Sequence, residues 1–181
     1  MFSKQSSGVG RIALQVGLLL LACGLVAAQD VKTNYMPGTD FSKYKTYKWV
    51  NIEGAQKPDQ ILDQQIRQAI DTQLASKSFT KTDDDKADLF VGYQASIAQQ
   101  TEWNAYSTGG RRWGGGMGTA TSSTIKIGTL GFDVYDSAAE KLLWRGTATK
   151  TLNPSKDPQK NQDRLNKAVA KLLKNFPPKA K

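Results

Sequence analysis

The chain has 181 residues, a formal net charge of +9, one cysteine and no histidine. The lack of histidine excludes Ser-His-Asp and Cys-His catalysis as well as histidine metal sites. The single thiol excludes a disulfide within the chain, so the hydrophobic core has to stabilise the domain. Residues 156 to 181 hold eight Lys and Arg against Asp157 and Asp163, whereas residues 29 to 155 are close to neutral. The charge therefore belongs to one segment, and nucleic acid is not predicted as a partner.

Residues 1 to 28 are typical of an export signal. Lys4 and Arg11 precede an apolar run over residues 12 to 26, which is shorter than the roughly 20 residues that span a membrane. The segment offers two possible cleavage sites. One follows Ala28, the last of a set of small residues typical of a signal-peptidase site. The other precedes Cys23, since the residues before it resemble a lipobox, in which the cysteine becomes lipidated. Because no polar tether follows Cys23, we favour cleavage after Ala28 and a location in the periplasm or outside the cell. A membrane-anchored lipoprotein is the alternative.

Alternating polar and apolar residues predict strands over residues 31 to 35 and 44 to 50. A helix is predicted to begin at Pro58 and Asp59, because apolar residues then recur at helical spacing: Ile61, Leu62, Ile66, Ala69, Ile70 and Leu74. Three aspartates at 83 to 85 form a polar break after it. A calcium loop starting there would need glycine and glutamate where Asp88 and Gln94 stand, so no metal or other cofactor is predicted.

Three further strands are predicted at 89 to 97, 125 to 135 and 142 to 151, the last two joined by a turn of hairpin length. Trp144 is expected in the core, since its neighbours are apolar and an indole buries a large area. Gly146 is a position where another group can approach closely. Arg145 is a candidate to pair with Asp133 or Asp136 across the hairpin; the alternative, which we favour, is an ordinary surface cross-strand charge.

Residues 101 to 124 form a glycine-rich segment with aromatic and arginine residues, which can stack on sugar rings or on a partner's side chains. The candidate binding residues are Trp103, Tyr106, Arg111, Arg112 and Trp113. The alternative, which we favour, is that the flanking strands extend into a long hairpin with a glycine-rich tip.

A last helix is predicted from Pro158 to Phe176, where two prolines end it. Its apolar face carries Leu165, Ala168, Val169, Leu172, Leu173 and Phe176. Its basic face carries Lys160, Arg164, Lys167, Lys171 and Lys174. We expect the apolar face to pack on the core and the basic face to be solvated. The alternative is that the basic face associates with an anionic membrane.

The order of elements is strand, strand, helix, strand, strand, strand, helix. It predicts an α+β fold with an antiparallel sheet of about five strands and both helices on one face. Residues 29 to 178 form one predicted domain, followed by a tail at 179 to 181.

The hairpin carries a distinctive pattern, Gly-Phe-Asp-Val-Tyr-Asp at 131 to 136 and Lys-Leu-Leu-Trp-Arg-Gly at 141 to 146. Together with Asp-Phe-Ser-Lys-Tyr at 40 to 44, Ala-Asp-Leu at 87 to 89 and the ending at 169 to 178, it resembles the bacterial family called domain of unknown function 4136. The resemblance spans about residues 31 to 178. It implies an α+β envelope protein, often a lipoprotein, to which no activity and no catalytic residue is assigned.

The predicted function is therefore an exported envelope protein that is a non-enzymatic binding or structural module. Its expected partner is another envelope protein or a glycan, with membrane association through a Cys23 lipid or the basic helix as an alternative. A second hypothesis is a small-molecule or glycan binder that uses Trp103, Tyr106 and Trp113. A distant third is a hydrolase that uses carboxylates, for which the candidates are Asp133, Asp136 and Glu140.

Overall fold

The computed structural model describes residues 29–56, 58–106 and 119–179. Within these ranges the elements are β1 (Asp30–Tyr35), β2 (Thr46–Trp49), α1 (Gln60–Ala75), β3 (Thr80–Lys81), β4 (Leu89–Tyr106), β5 (Thr119–Asp136), β6 (Lys141–Leu152) and α2 (Pro158–Leu172). A 3₁₀ helix, Phe41–Lys43, precedes β2. Both predicted cleavage sites, including Cys23, lie outside the described residues. No helix in the described ranges is long and apolar enough to cross a membrane.

The strands form one sheet in the order β1-β6-β5-β4-β2-β3. The predicted α+β class is confirmed, and both helices pack on the same face, which we call the helix face. Two details of the prediction are wrong. The sheet has six strands instead of about five, and it is mixed, because β2 pairs in parallel with both β3 and β4.

The two errors have one physical origin. The chain leaves β2, crosses through α1 and returns to pair beside β2, and a strand-helix-strand crossover brings the second strand back in the same direction. The returning strand, β3, has only two residues. Two residues are too few to show an alternating pattern, so periodicity could not detect the strand or its direction.

The core lies between the helix face and the two helices. Trp144 is 1% exposed, which confirms its predicted core position. A Cβ atom on Gly146 would meet the Trp144 ring and would lie 2.8 Å from Leu172 of α2, so this close approach is also confirmed. Other fully buried side chains come from three strands, both helices and the segment after α2: Tyr47, Leu89, Phe132, Val134, Ile70, Leu74, Val169, Leu172, Leu173 and Phe176.

Both helices begin at an aspartate cap. The Asp59 carboxylate accepts the backbone N–H groups of Ile61 and Leu62, and the Asp157 carboxylate accepts that of Gln159. Ile61 was predicted in the apolar stripe of α1, but it is 71% exposed. Helical geometry explains the error, because a residue next to Leu62 lies about 100° around the helix, on the side of the polar glutamines.

Helix α2 ends at Leu172, earlier than the predicted Phe176. A turn follows, in which the N–H of Phe176 donates to the carbonyl of Leu173 at 3.1 Å. The Phe176 ring is nevertheless 2% exposed and packs against Trp144 with ring centroids 5.1 Å apart. The apolar pattern therefore predicted the burial correctly while the helix stops a turn earlier.

Candidate ligand-binding cleft

The predicted aromatic segment is only partly described. Residues 101–106 continue β4 and residues 119–124 continue β5, so the strands extend into the segment that was considered as a loop. In this ladder Trp103 lies opposite Ser122, and Tyr106 lies opposite Thr119. Arg111, Arg112 and Trp113 lie outside the described residues. The structure thus places the first two candidates in paired strands and leaves the hypothesis of a binding surface untested.

The carboxylates of the distinctive hairpin have structural partners. Asp133 is 1% exposed and accepts two hydrogen bonds from Arg145, at 2.6 Å from Nε and 2.7 Å from Nη2. Arg145 therefore pairs with Asp133 across the hairpin, and the favoured expectation of an ordinary surface charge is wrong, because the carboxylate that it meets is buried. Gly92 lies opposite Asp133 in β4, and its missing side chain lets Ile52 pack over this part of the sheet. Asp133 is thus buried at a position that alternation along a single strand would leave open.

Asp136, the second of these carboxylates, organises the hairpin turn. It accepts the Tyr44 hydroxyl at 2.6 Å and the backbone N–H groups of Ala138 and Ala139 at 3.0 and 2.9 Å. The Tyr44 hydroxyl, followed by these amides, lowers the pKa of Asp136, since each donor favours the charged form. Glu140 is exposed in the same turn at a positive φ of 51°. The three carboxylates thus occupy a buried ion pair, a turn cap and an exposed turn.

The predicted basic face of α2 is exposed. Lys160, Arg164, Lys167, Lys171 and Lys174 all have high accessibility, while the opposite side of the helix packs on the core. This agrees with the expected core-facing helix. Whether the basic face contacts a membrane stays a prediction.

An apolar cleft lies between the two helices and the sheet, at the end where the sheet extends beyond the helices. It was not predicted from the sequence. Its volume is about 370 Å³, which is within the range of small-molecule sites. The floor is the helix face of β4, β5 and β6, one wall is the start of α1, and the other wall is the first part of α2. The side chains that define it are Leu62 and Ile66 of α1, Leu165 and Ala168 of α2, and Ala95, Ile97, Gly128, Leu130, Ala148 and Leu152 of the sheet. We call this site the α1–α2 cleft.

The cleft exists because side chains on the helix face become small at this end of the sheet. On the helix face of β4, the next position after the buried Tyr93 is Ala95. On the helix face of β6, the next two positions after the buried Trp144 are Gly146 and Ala148. Ala95 and Ala148 both lie opposite Leu130 of β5, one on each side. Small residues at adjacent floor positions leave space that larger side chains would fill. This decrease in size is the sequence signal that could have found the site.

Apolar side chains are exposed at the open end of the cleft. Ile97 is 62% exposed and Leu152 is 36% exposed, although both follow the alternation of core positions. The Leu152 side chain lies over Gly128, where an added Cβ atom would come within 2.8 Å of it. The sheet therefore continues beyond the helices with an apolar surface that the described part of the chain leaves partly uncovered.

The charged residues in the described lining of the cleft are two, and both are basic. Lys150 lies on the floor strand β6, opposite Gly128, and Arg164 lies on α2 and donates to the carbonyl oxygen of Asn153. Gln29 closes one side, because its side-chain amide donates to the carbonyl of Ala168 at 3.1 Å. The cleft is thus apolar inside and positively charged at its border.

Hydrogen bonds to two carboxylates hold the α1 wall against the sheet. Asp71 accepts the Tyr47 hydroxyl and the Trp49 indole N–H, both at 2.8 Å. Nearer the start of the same helix, Asp63 accepts a hydrogen bond from the Tyr93 hydroxyl and forms an ion pair with Arg67 at 3.1 Å. Burial first, and then the hydrogen bond to the carboxylate, raises the pKa of both Tyr47 and Tyr93. These contacts anchor both halves of α1 to the sheet.

Comparisons with known proteins add a family and a fold. A family model described as "Domain of unknown function (DUF4136)" matches residues 31–178. No curated protein matches the chain at a significant level. A solved PDZ domain protein from Parabacteroides distasonis is 16% identical, with a TM-score of 0.56, over 83% of this chain and 36% of its own. The PelC dodecamer from Paraburkholderia phytofirmans is 14% identical, with a TM-score of 0.48, over 81% of this chain and 95% of its own.

The chain spans 36% of the length of the PDZ domain protein. At this identity, the similarity to that protein shows a shared fold and carries no activity. None of the comparisons indicates a catalytic family.

Proposed function

The chain belongs to the DUF4136 family, a family of unknown function, and from its geometry we propose that it is an exported, non-enzymatic module that binds an apolar ligand in the α1–α2 cleft. One observation carries the proposal: the core is left open at this end, with exposed Ile97 and Leu152 beside an apolar space of about 370 Å³. A concave apolar site with a few polar groups at its border is the common form of a small-molecule site.

The residues around the cleft favour binding over catalysis. Its described lining contains no carboxylate and no thiol, and the chain has no histidine. General acid-base chemistry relies mostly on these groups. Of the three hairpin carboxylates, Asp133 is engaged by Arg145 and Asp136 by Tyr44, which supports a structural role for these two.

Export rests on the layout of residues 1 to 28, and it is supported by the position of the family match, which begins at residue 31. We expect the mature protein, purified from its native host, to begin at Gln29. Intact-mass measurement tests this directly. A mass that fits a lipid on Cys23 would contradict cleavage after Ala28 but not export, whereas a mass that retains residues 1 to 28 would contradict export itself.

Ligand binding can be located with isotope-labelled alanine methyl groups. Titration with decanol is expected to shift the methyl resonances of Ala95, Ala148 and Ala168, which line the cleft. The methyl of Ala87, which is buried elsewhere in the core, is expected to stay unchanged. NMR spectra of the domain from residue 29 onward, recorded at increasing ligand concentration, give both the site and the affinity.

A filling variant tests whether the space itself is the site. Ala95→Leu is expected to weaken decanol binding by about tenfold, because a larger side chain displaces about two methylenes of the ligand at ~0.8 kcal/mol each. Ala98→Leu is the matched control, since Ala98 is exposed on the same strand and on the opposite face. Equal affinity in both variants, or shifts at Ala87 and not in the cleft, would refute the proposal.

A further inference from the structure

We propose that the ligand of the α1–α2 cleft is an anionic amphiphile, an alkyl chain that ends in a carboxylate or a phosphate. The inference rests on the proposed function and adds the chemistry of the ligand's polar end. Its basis is the combination of an apolar floor with two cations, Lys150 and Arg164, and no acidic residue in the described lining.

Lys150 occupies a position that alternation assigns to the helix face. It lies between Ala148 and Leu152 on the same face of β6, and Gly128 is its neighbour on β5. Within the described residues, Lys150 has no carboxylate partner, because the ion pairs there involve other lysines and arginines. A lysine stem covers apolar surface well while its ammonium group stays at the border with water. The ammonium group is therefore placed to meet a negative charge at the end of an apolar ligand.

Arg164 provides a second cation from the α2 wall of the cleft. It lies one turn before Ala168 on α2, and it donates one hydrogen bond to the carbonyl of Asn153. A guanidinium group has five N–H donors, and its planar fork suits carboxylate and phosphate oxygens. No ion pair with an acidic residue occupies the remaining donors in the described part of the chain.

The shape of the floor favours an alkyl chain over a peptide. At the middle of the floor, Gly128 and Leu130 of β5 pair with β4 on one side and with β6 on the other, so an extended peptide lying there could not add to β5 as a further strand. The helix-face side chains around this point are apolar, apart from Lys150, and offer no partners to the N–H and C=O groups of a peptide backbone. An alkyl chain has no polar groups to satisfy, and its charged end reaches the two cations.

The affinities of four probes for the domain from residue 29 onward test the proposal: decanoate, decyl phosphate, decanol and acetate. We expect at least one of decanoate and decyl phosphate to bind about fivefold more tightly than decanol, which is the size of a partly exposed ion pair. The tighter of the two identifies the head group. Acetate is expected to bind far more weakly, because it lacks the apolar tail.

Lys150→Gln and Arg164→Gln are each expected to remove most of the preference for the anionic probe over decanol, measured as the ratio of the two affinities in the same variant. Lys167→Gln is the matched control, since it removes the same charge from an exposed position of α2 that does not line the cleft. Thermal unfolding of each variant checks that the domain is still folded.

The outcomes separate the two proposals. If decanol binds in the cleft as tightly as the anionic probes, or if Lys167→Gln has the same effect as Lys150→Gln, the anionic head group is wrong and the apolar site stands. If acetate binds as tightly as decanoate, the amphiphile is also wrong, because the tail contributes nothing. If no alkyl probe binds in the cleft, the proposed function fails and this inference fails with it.

Discussion

Arg145→Ala is expected to lower the free energy of unfolding by about 3 kcal/mol, because it removes the cation paired with the buried Asp133 carboxylate and leaves only a long hydrogen bond from the Tyr135 hydroxyl, at 3.5 Å. The carboxylate is 1% exposed and accepts both of its strong hydrogen bonds from this guanidinium group. The Arg145 side chain is 48% exposed, so its removal also admits some water. For this reason we expect the lower end of the range for broken buried pairs. Urea unfolding measures the change as a lower midpoint at constant m-value.

A substitution of the other partner of this ion pair is expected to have a smaller effect on stability. Asp133→Asn leaves Arg145 partly solvated, so the loss should be about 1 kcal/mol. Lys141→Ala is the control, since it removes an exposed cation from the same strand and should change stability by less than about 0.5 kcal/mol. Equal losses from the two partners of the pair, or a loss from Arg145→Ala no larger than that of the control, would show that the burial of Asp133 does not matter.

Asp71→Ala is expected to lower the free energy of unfolding by about 2 to 3 kcal/mol. The Asp71 carboxylate accepts the hydroxyl of Tyr47 and the indole N–H of Trp49, and it pairs with Lys81 at 3.0 Å. Tyr47 is 2% exposed, so its hydroxyl would lose its partner in a place that water reaches poorly. Alanine favours the helix slightly, which offsets only a few tenths of a kcal/mol.

Asp71→Asn separates charge from hydrogen bonding. Asparagine keeps a carbonyl oxygen, so we expect about half of the loss, measured by the same urea unfolding. Gln68→Ala on the exposed side of α1 is the control for helix propensity and should be nearly neutral. If Asp71→Ala is as mild as Gln68→Ala, the carboxylate is not what holds α1 to β2.

The first of these predictions concerns the most distinctive part of the sequence, the hairpin, and both concern stability. The pattern around Asp133 and Arg145 is explained by an ion pair between neighbouring strands and by a turn cap at Asp136. The interior of the candidate site is formed instead by alanine, glycine, leucine and isoleucine residues, which have no reactive groups. A search for reactive residues therefore passes over the cleft, because an apolar site is defined by its shape.

Several features of the fold could be predicted because they depend on neighbours along the chain. The capped start of α1 at Asp59, the apolar stripe of α2 and the core position of Trp144 all follow from local spacing. Ile61 shows the limit of such reasoning, because an apolar residue next to the stripe was counted with it although it points away from the core. Strand β3 shows a second limit, since two residues carry no period.

The α+β class, most of the elements and the faces that form the core follow from hydrophobic periodicity, which decides which side of a helix or strand avoids water. Three other features follow from no local pattern: the parallel pairing of β2, the burial of Asp133, and the opening of the α1–α2 cleft. Each depends on which residues from distant parts of the chain become neighbours. Ala95 and Ala148 are ordinary small residues when read in order along the chain, and they define a cavity only when they flank the same strand beneath two helices.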